Sequence, residues 1–322
     1  MSGKPSTPVA EAEWKSRRPE QAPAQRGLTR KHREWLAALL FVAPDALGLL
    51  IFVAIPMLLA LALGFFDISG FGTYSFAGLT NYKRMFTDPL FLNSVWVTVT
   101  YVVLFVAGVF VVSLTLALLV KQKLPFVGVF RSMFFLPNVV SLVVIGLVWQ
   151  FMLVDGRGVV NQLLDVVGLG NFSWLGNPSL ALFTVVAVSI WFFMGYYMVI
   201  FLAALQDIPQ EYYDAARVDG AGTWATFWHV TWPLLKPTSF FVLLVSTITG
   251  VAGLQAFDLI YIMTEGGPAN KTMLGIFYIY QQAFMFNDYG YAAAMASFLV
   301  LVLLAATAAM FVLTRGGRFE VD

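Results

Sequence analysis

Cysteine is absent from the 322 residues, so neither disulfides nor thiolate metal sites are available. Histidine is nearly absent: His32 and His229 stand apart, with no partner at metal-ligand spacing. Charge is scarce. Lys, Arg, Asp and Glu together make up 11% of the chain, against roughly 25% in a soluble domain. A net charge of +1 gives no global case for nucleic acid. A phosphate loop is also missing. Gly267–Thr272 carries a Lys-Thr pair but lacks the glycine before lysine and follows no strand. The chain therefore has no visible means of hydrolysing ATP.

Apolar residues fill the space, at 59% of the chain. They fall into six continuous runs, approximately 39–66, 92–120, 129–154, 179–205, 237–262 and 289–314. Each reaches the roughly 20 residues that a helix needs to cross a bilayer. A membrane β-barrel would need alternation, which these runs lack, so the expected fold class is all-α integral membrane, a six-helix transmembrane bundle. One membrane domain over 28–322 is expected, behind a disordered tail at 1–27 rich in Pro, Ala, Gln and charge. That tail has no apolar core, so it is not read as a cleavable signal peptide. Residues 28–37 are basic and include Trp35, which suits a membrane interface.

Lys and Arg set the orientation. With the N-terminus inside, fifteen of the nineteen lie on the cytoplasmic side, leaving Lys83, Arg84, Arg157 and Lys271 outside. Both termini and the loop at 207–237 are then cytoplasmic. Three loops face out: 67–91, 155–178, where 158–170 has helical spacing, and the turn-rich 263–288.

The cytoplasmic loop is unusually structured for a connection between two apolar runs. Asp207 suits a helix cap and Pro209 its first turn. Gly220 and Gly222 read as stops. Thr223 suits a second cap, for a helix running to about Trp232 before Pro233 and Pro237 interrupt it. Tyr212, Ala215, Ala216 and Asp219 share one face at three- and four-residue spacing. The paired alanines leave that face shallow enough for another protein's backbone to approach. Of the loop's aromatic stripe, Trp224 and Phe227 read as docking surface and Trp228 as packing.

Asp214-Ala215-Ala216, Gly220, Val230 and Trp232-Pro233 together resemble the cytoplasmic EAA loop of ABC importer permease subunits. Asp214 stands where the family has glutamate, Val230 where it has isoleucine, and Trp232 where it has leucine; Glu211, one turn earlier, is placed to share the acidic role. WLGNPSLAL (174–182), Trp191, LAALQDIP (202–209) and Gly266-Gly267-Pro268 extend the likeness over roughly 38–315, towards the maltose- and glycerol-phosphate-permease branch. The resemblance implies a type I importer fold in a bacterial or archaeal plasma membrane. It implies a heterodimer with a second permease, and two ATP-binding subunits that use ATP and Mg2+. An extracytoplasmic solute-binding lipoprotein would deliver the solute, a carbohydrate or polyol. This chain would bind no cofactor itself and would not be an enzyme. Its coupling residues would be Glu211, Asp214, Ala215, Ala216, Asp219, Gly220, Trp224, Phe227 and Pro233.

A substrate path would run near the bilayer midplane, along polar or small residues facing the bundle interior. Ser189, Phe193 and Tyr196 form one such face in the fourth run. Ser246, Thr249, Gly250, Gly253 and Phe257 form another in the fifth. Aromatic rings stack on sugar rings and hydroxyls bond sugar hydroxyls. The amides that maltose permeases carry on the fifth-span face are missing, and Gln255 projects to the other side. Asp45 and Asp258 read as caps at helix ends. Pro137 and Asn138 read as a kink. Two other readings remain: an ion-coupled secondary transporter, which needs carboxylates inside the spans, and a membrane enzyme acting on a lipid-linked sugar, which needs clustered acids at an interface.

Overall fold

The computed structural model describes residues 30–69, 73–121 and 126–314; the expected tail at 1–27 lies outside them, as do Lys123, Arg315 and Arg318. The chain divides into two units, residues 1–57 and 58–322. The described part of the first opens with α1 (Arg30–Leu49), followed by a π turn at Leu50–Ala54. Pro44 lies inside α1, so Asp45 does not cap a span as expected. An apolar helix in a membrane tolerates an internal proline where the freed carbonyl finds another partner.

α2 (Ile55–Leu63) leads to a hairpin, β1 (Phe66–Ser69) and β2 (Thr73–Phe76), in which Phe66 pairs with Phe76. This small antiparallel pair was not expected of the loop. α3 (Thr80–Thr87) and α4 (Pro89–Val120) follow. Asp88 starts α4: its carboxylate accepts from the Leu90 amide at 2.9 Å, and Pro89 sits at the first position, where no N–H is needed.

Among the described residues, five helices are long and apolar enough to cross a membrane: Ala37–Leu63, Pro89–Val120, Ala181–Asp207, Thr223–Ala252 and Tyr289–Leu313. A bent helix pair makes a sixth if it is one span. The run expected as one helix over 129–154 is instead α5 (Val127–Phe135), a 3-10 turn at Leu136–Val139 and α6 (Leu142–Met152), bent by 99°. Pro137 tightens the turn, Ser141 is extended at ψ 132°, and the Asn138 amide donates to the Phe192 carbonyl at 2.7 Å. The proline region is thus both a sharp break and a tie to the neighbouring helix. Beyond it lie α7 (Val159–Val166), α8 (Ala181–Asp207), α9 (Gln210–Val218), α10 (Thr223–Thr226) and, after a π turn at Phe227–Thr231, α11 (Trp232–Ala252). α12 (Leu254–Met263), α13 (Gly275–Tyr280), a π turn at Gln281–Met285 and α14 (Tyr289–Leu313) complete the described chain.

The core of the second unit is the seam between α4 and α8, with α11 laid against both and α12 against α6. Phe105 stacks on Tyr101 and meets Phe193 edge-on. Gly108 faces Ile190, and Gly195 faces the Phe134 carbonyl so closely that any Cβ there would collide with backbone. Polar side chains tie the same seam. Tyr101 and Ser189 hydroxyls bond at 2.9 Å, and Ser113 donates to the Met194 carbonyl at 3.0 Å. Between membrane helices, where apolar contact with lipid competes with apolar contact between helices, such bonds and close packing help decide which helices pair.

At the other end of α4 a second tie gathers segments distant in sequence. The Asp88 carboxylate accepts from the hydroxyls of Tyr278 and Tyr291, each at 2.7 Å. Arg84 bonds Asp288 at 2.6 Å and lies 4.0 Å from the Tyr291 ring centroid. Asp288 in turn caps α14 through the Tyr291 amide. Burial pushes the Asp88 pKa up, but the two hydroxyls and the helix amides outweigh it, so the net shift is downward. A carboxyl with a depressed folded pKa stabilises the fold above its unfolded value of about 3.9, and that contribution fades as pH falls through the folded value. Asp88→Asn should therefore cost about 1–3 kcal/mol at neutral pH. It should also weaken the loss of stability below about pH 4 that thermal melts of the wild type would show.

Candidate functional site

The loop between α8 and α11 is the most structured polar element of the second unit. Asp207 ends α8 rather than capping the next helix, and Pro209 takes the N-cap position of α9. The α9 end is glycine-driven. Gly220 sits at φ 76°, the Gly220 amide bonds the Arg217 carbonyl, and the Ala221 amide reaches back to the Ala216 carbonyl at 2.9 Å. Gly222, not Thr223, occupies the N-cap position of α10, without a side-chain cap.

The largest departure from expectation concerns the prolines. Pro233 and Pro237 do not interrupt the second helix; it runs from Thr223 to Ala252. The π turn at Phe227–Thr231 explains how. The Trp232 amide bonds the Phe227 carbonyl, five residues back, so the register has already shifted when Pro233 arrives without a donor. Pro237 then lacks the donor that would meet the Pro233 carbonyl four residues earlier. The apolar run expected at 237–262 therefore begins within the loop, and its helix ends at Ala252.

The loop residues divide by exposure. Ala216 is buried, whereas Glu211, Tyr212, Asp214, Ala215, Asp219 and Gly220 are exposed. The face shared by Tyr212, Ala215, Ala216 and Asp219 is thus split, with Ala216 turned into the protein. Asp214 is occupied on its own helix, accepting from Arg217 at 3.1 Å and Gln210 at 3.2 Å. Trp224 is 74% exposed and Trp228 44%. Both join a ring cluster with Phe227, which is half-buried, and Trp232. Pro233 is half-buried at the start of α11. Tyr213 was not foreseen as a tie: its hydroxyl accepts from Lys121 at 2.8 Å and pairs with Thr231 at 3.3 Å, pinning α9 to the end of α4 and to the π turn. Tyr213 stands three residues before Ala216, and the two are the less exposed positions of α9.

The two membrane faces divide likewise. Ser189 and Ser246 are fully buried and hydrogen-bonded within the chain, to Tyr101 and Val185 and to Leu243 respectively. Phe193 packs among Phe105, Phe192 and Tyr197. Gly250 is buried, and a Cβ there would press on Val102 and Phe105. Tyr196 is 40% exposed, and Thr249 and Phe257 are half-buried. Gly253 breaks the helix at φ −67°, ψ 132°. Beyond the break Phe257, Tyr261, Phe277 and Tyr280 form one aromatic cluster. Asp258 lies inside α12, whose N-cap position is Gly253, so it is not a cap.

Residues 114–318 match the family described as binding-protein-dependent transport system inner membrane component. This chain belongs to that family. It is a permease subunit, a non-catalytic component of an ABC transporter, with several membrane-crossing helices. It is similar to the diacetylchitobiose uptake system permease protein NgcF of Streptomyces coelicolor, with 35% identity over 97% of this chain and 93% of the other. The lactose transport system permease protein LacF of Rhizobium radiobacter is 37% identical over 82% of this chain and 89% of its own. In fold the permease resembles a chain of the bacterial alginate ABC transporter, crystallised in complex with an alginate pentasaccharide-bound periplasmic protein. That likeness has a TM-score of 0.77 at 23% identity, over 88% of this chain and 95% of that one.

The two loop alanines give a direct contrast. Ala216→Leu adds three carbons to a buried position and should lower the melting temperature of the purified permease, at a cost of about 1–3 kcal/mol. Ala215→Leu, on the exposed side, should leave melting within about 0.5 kcal/mol of wild type.

Proposed function

We propose that this permease subunit imports a carbohydrate, with Glu211–Pro233 receiving the stroke of ATPase subunits on the cytoplasmic side. One observation carries the reading: a short polar helix, α9, joins through Gly220 to a helix that continues without interruption into the membrane. A push on α9 would therefore move a span rather than a slack loop. Exposed Glu211, Ala215, Asp219 and Trp224 offer the contact surface, while buried Ala216 and the Tyr213 tie hold the lever to the bundle. Lys and Arg counts favour the cytoplasmic side for this loop and for both termini. A second permease, two ATP-binding subunits using ATP and Mg2+, and an extracytoplasmic solute-binding protein would complete the transporter. The names of the relatives, which concern oligosaccharides and lactose among others, support a sugar.

For the path we favour the accessible members of the two faces: Tyr196, Thr249, Gly253 and Phe257. Ser189, Phe193, Ser246 and Gly250 would shape it from behind by packing. Phe257, with Tyr261 and Tyr280, supplies ring faces of the kind on which sugars stack.

Gly220 offers the sharpest test. Nothing lies within 4 Å of a Cβ built there, so a substitution meets no clash; its cost comes from φ 76°. Gly220→Val should strain the turn by about 1–3 kcal/mol. Solute uptake in cells should collapse while the protein still inserts and assembles; uptake at wild-type rates would overturn the lever. Separately, Tyr196→Ala and Phe257→Ala should raise the KM for sugar uptake about three- to tenfold with little change in kcat. A change confined to kcat would take both residues off the path.

A further inference from the structure

A cavity of about 430 Å³ opens beside the loop, lined by Lys121, Tyr213, Arg217, Thr223, Thr226 and Thr231 among others. Its character is cationic. Among the described residues no carboxylate lies within salt-bridge distance of Lys121, whose ammonium instead donates to the Tyr213 hydroxyl at 2.8 Å and lies 4.1 Å from the Tyr213 ring centroid. Arg217 has one partner, Asp214 at 3.1 Å. Their side chains are 73% and 59% exposed, so water screens the pair, and Asp214 does not line the cavity. Three threonine hydroxyls add polar groups around the two cations.

Position says what such a cavity meets. α4 holds 32 residues, or about 48 Å of helix at 1.5 Å per residue. A bilayer with its headgroups is about 40–45 Å thick. With Asp88 capping one end of α4, Lys121 at the other falls at the level of lipid phosphates. Lys and Arg near such a surface are held there by anionic headgroups, and guanidinium and ammonium donors match phosphate oxygens.

We propose that this cavity binds a phosphate group, carried by an anionic phospholipid headgroup or present as free phosphate, between Lys121 and Arg217. The proposal concerns binding and stands whether or not the loop is the ATPase contact. A bound phosphate would link α4 to α9 through a second bridge beside Tyr213, making the stiffness of the loop depend on the membrane around it.

The test uses the full-length permease, purified in detergent and examined by native mass spectrometry with added phosphatidylglycerol or phosphatidylcholine. Wild type should retain phosphatidylglycerol in preference. Lys121→Gln with Arg217→Gln should weaken that retention about tenfold or more. Lys236→Gln, which removes an exposed cation of α11 outside the cavity, should not. Lys121→Arg should keep the binding and show that loss follows charge rather than misfolding. If phosphatidylglycerol is not preferred but inorganic phosphate raises the melting temperature of wild type and not of the double variant, the site takes free phosphate. Equal retention by wild type and a normally melting double variant, with no phosphate effect, would overturn the proposal.

Discussion

A chain inside hydrocarbon must satisfy its backbone from within, because lipid offers no hydrogen bonds. Several departures from straight helix in this protein come with a named partner. Where α5 and α6 bend by 99°, the Asn138 amide donates to the Phe192 carbonyl. Where α4 meets α8, hydroxyls of Tyr101, Ser189 and Ser113 find each other or a carbonyl. Apolar area alone cannot decide which helices pair in lipid, so these few bonds and the close approaches at Gly108 and Gly195 carry the specificity. α9 lies in the chain between α8 and α11, two of the helices of this seam.

The loop follows the same logic at a polar boundary. Two prolines at a four-residue interval would break a helix in water. Here the π turn shifts the register by one residue just before Pro233, and the element remains one helix from Thr223 to Ala252. Gly220 and Gly222 lie between α9 and that helix. Tyr213, pinned by Lys121 and Thr231, keeps α9 from swinging freely about those glycines.

How much of this was written in local pattern? The long apolar runs at 92–120, 179–205 and 289–314 are legible because each satisfies itself by length and composition, and α4, α8 and α14 fall on them. The glycine stop at 220 is legible because its cause lies within three residues. Legibility fails where the cause is remote. Nothing near Asp88 says that Tyr278 and Tyr291, about two hundred residues away, donate to it. Gly195 looks like any small residue in an apolar run until the Phe134 carbonyl arrives against it. The prolines at 233 and 237 misled for a related reason: the proline rule describes the residue, whereas the outcome rests on the register of the preceding turn. Ser189 and Ser246 share a periodicity with Tyr196 and Thr249, but spacing gives a face without saying what covers it; both serines are fully buried, Ser189 against Tyr101 of α4.

Gly253 shows where these threads meet. The residue stops α11 in extended conformation, and a Cβ there would collide with the Thr249 carbonyl, so glycine is required by contact rather than by a positive φ. The Gly253 amide still bonds Thr249, and the Ala256 amide bonds Gly253. A broken helix at membrane depth is tolerated where protein or water surrounds the break. Phe257, one turn beyond the break, sets its half-buried ring against that of Tyr280, and α12 packs on α6. α12 begins only after the Gly253 break, and α6 begins only after the break at Pro137 and Ser141. The two irregular segments, far apart in sequence, meet in one contact, α12 against α6.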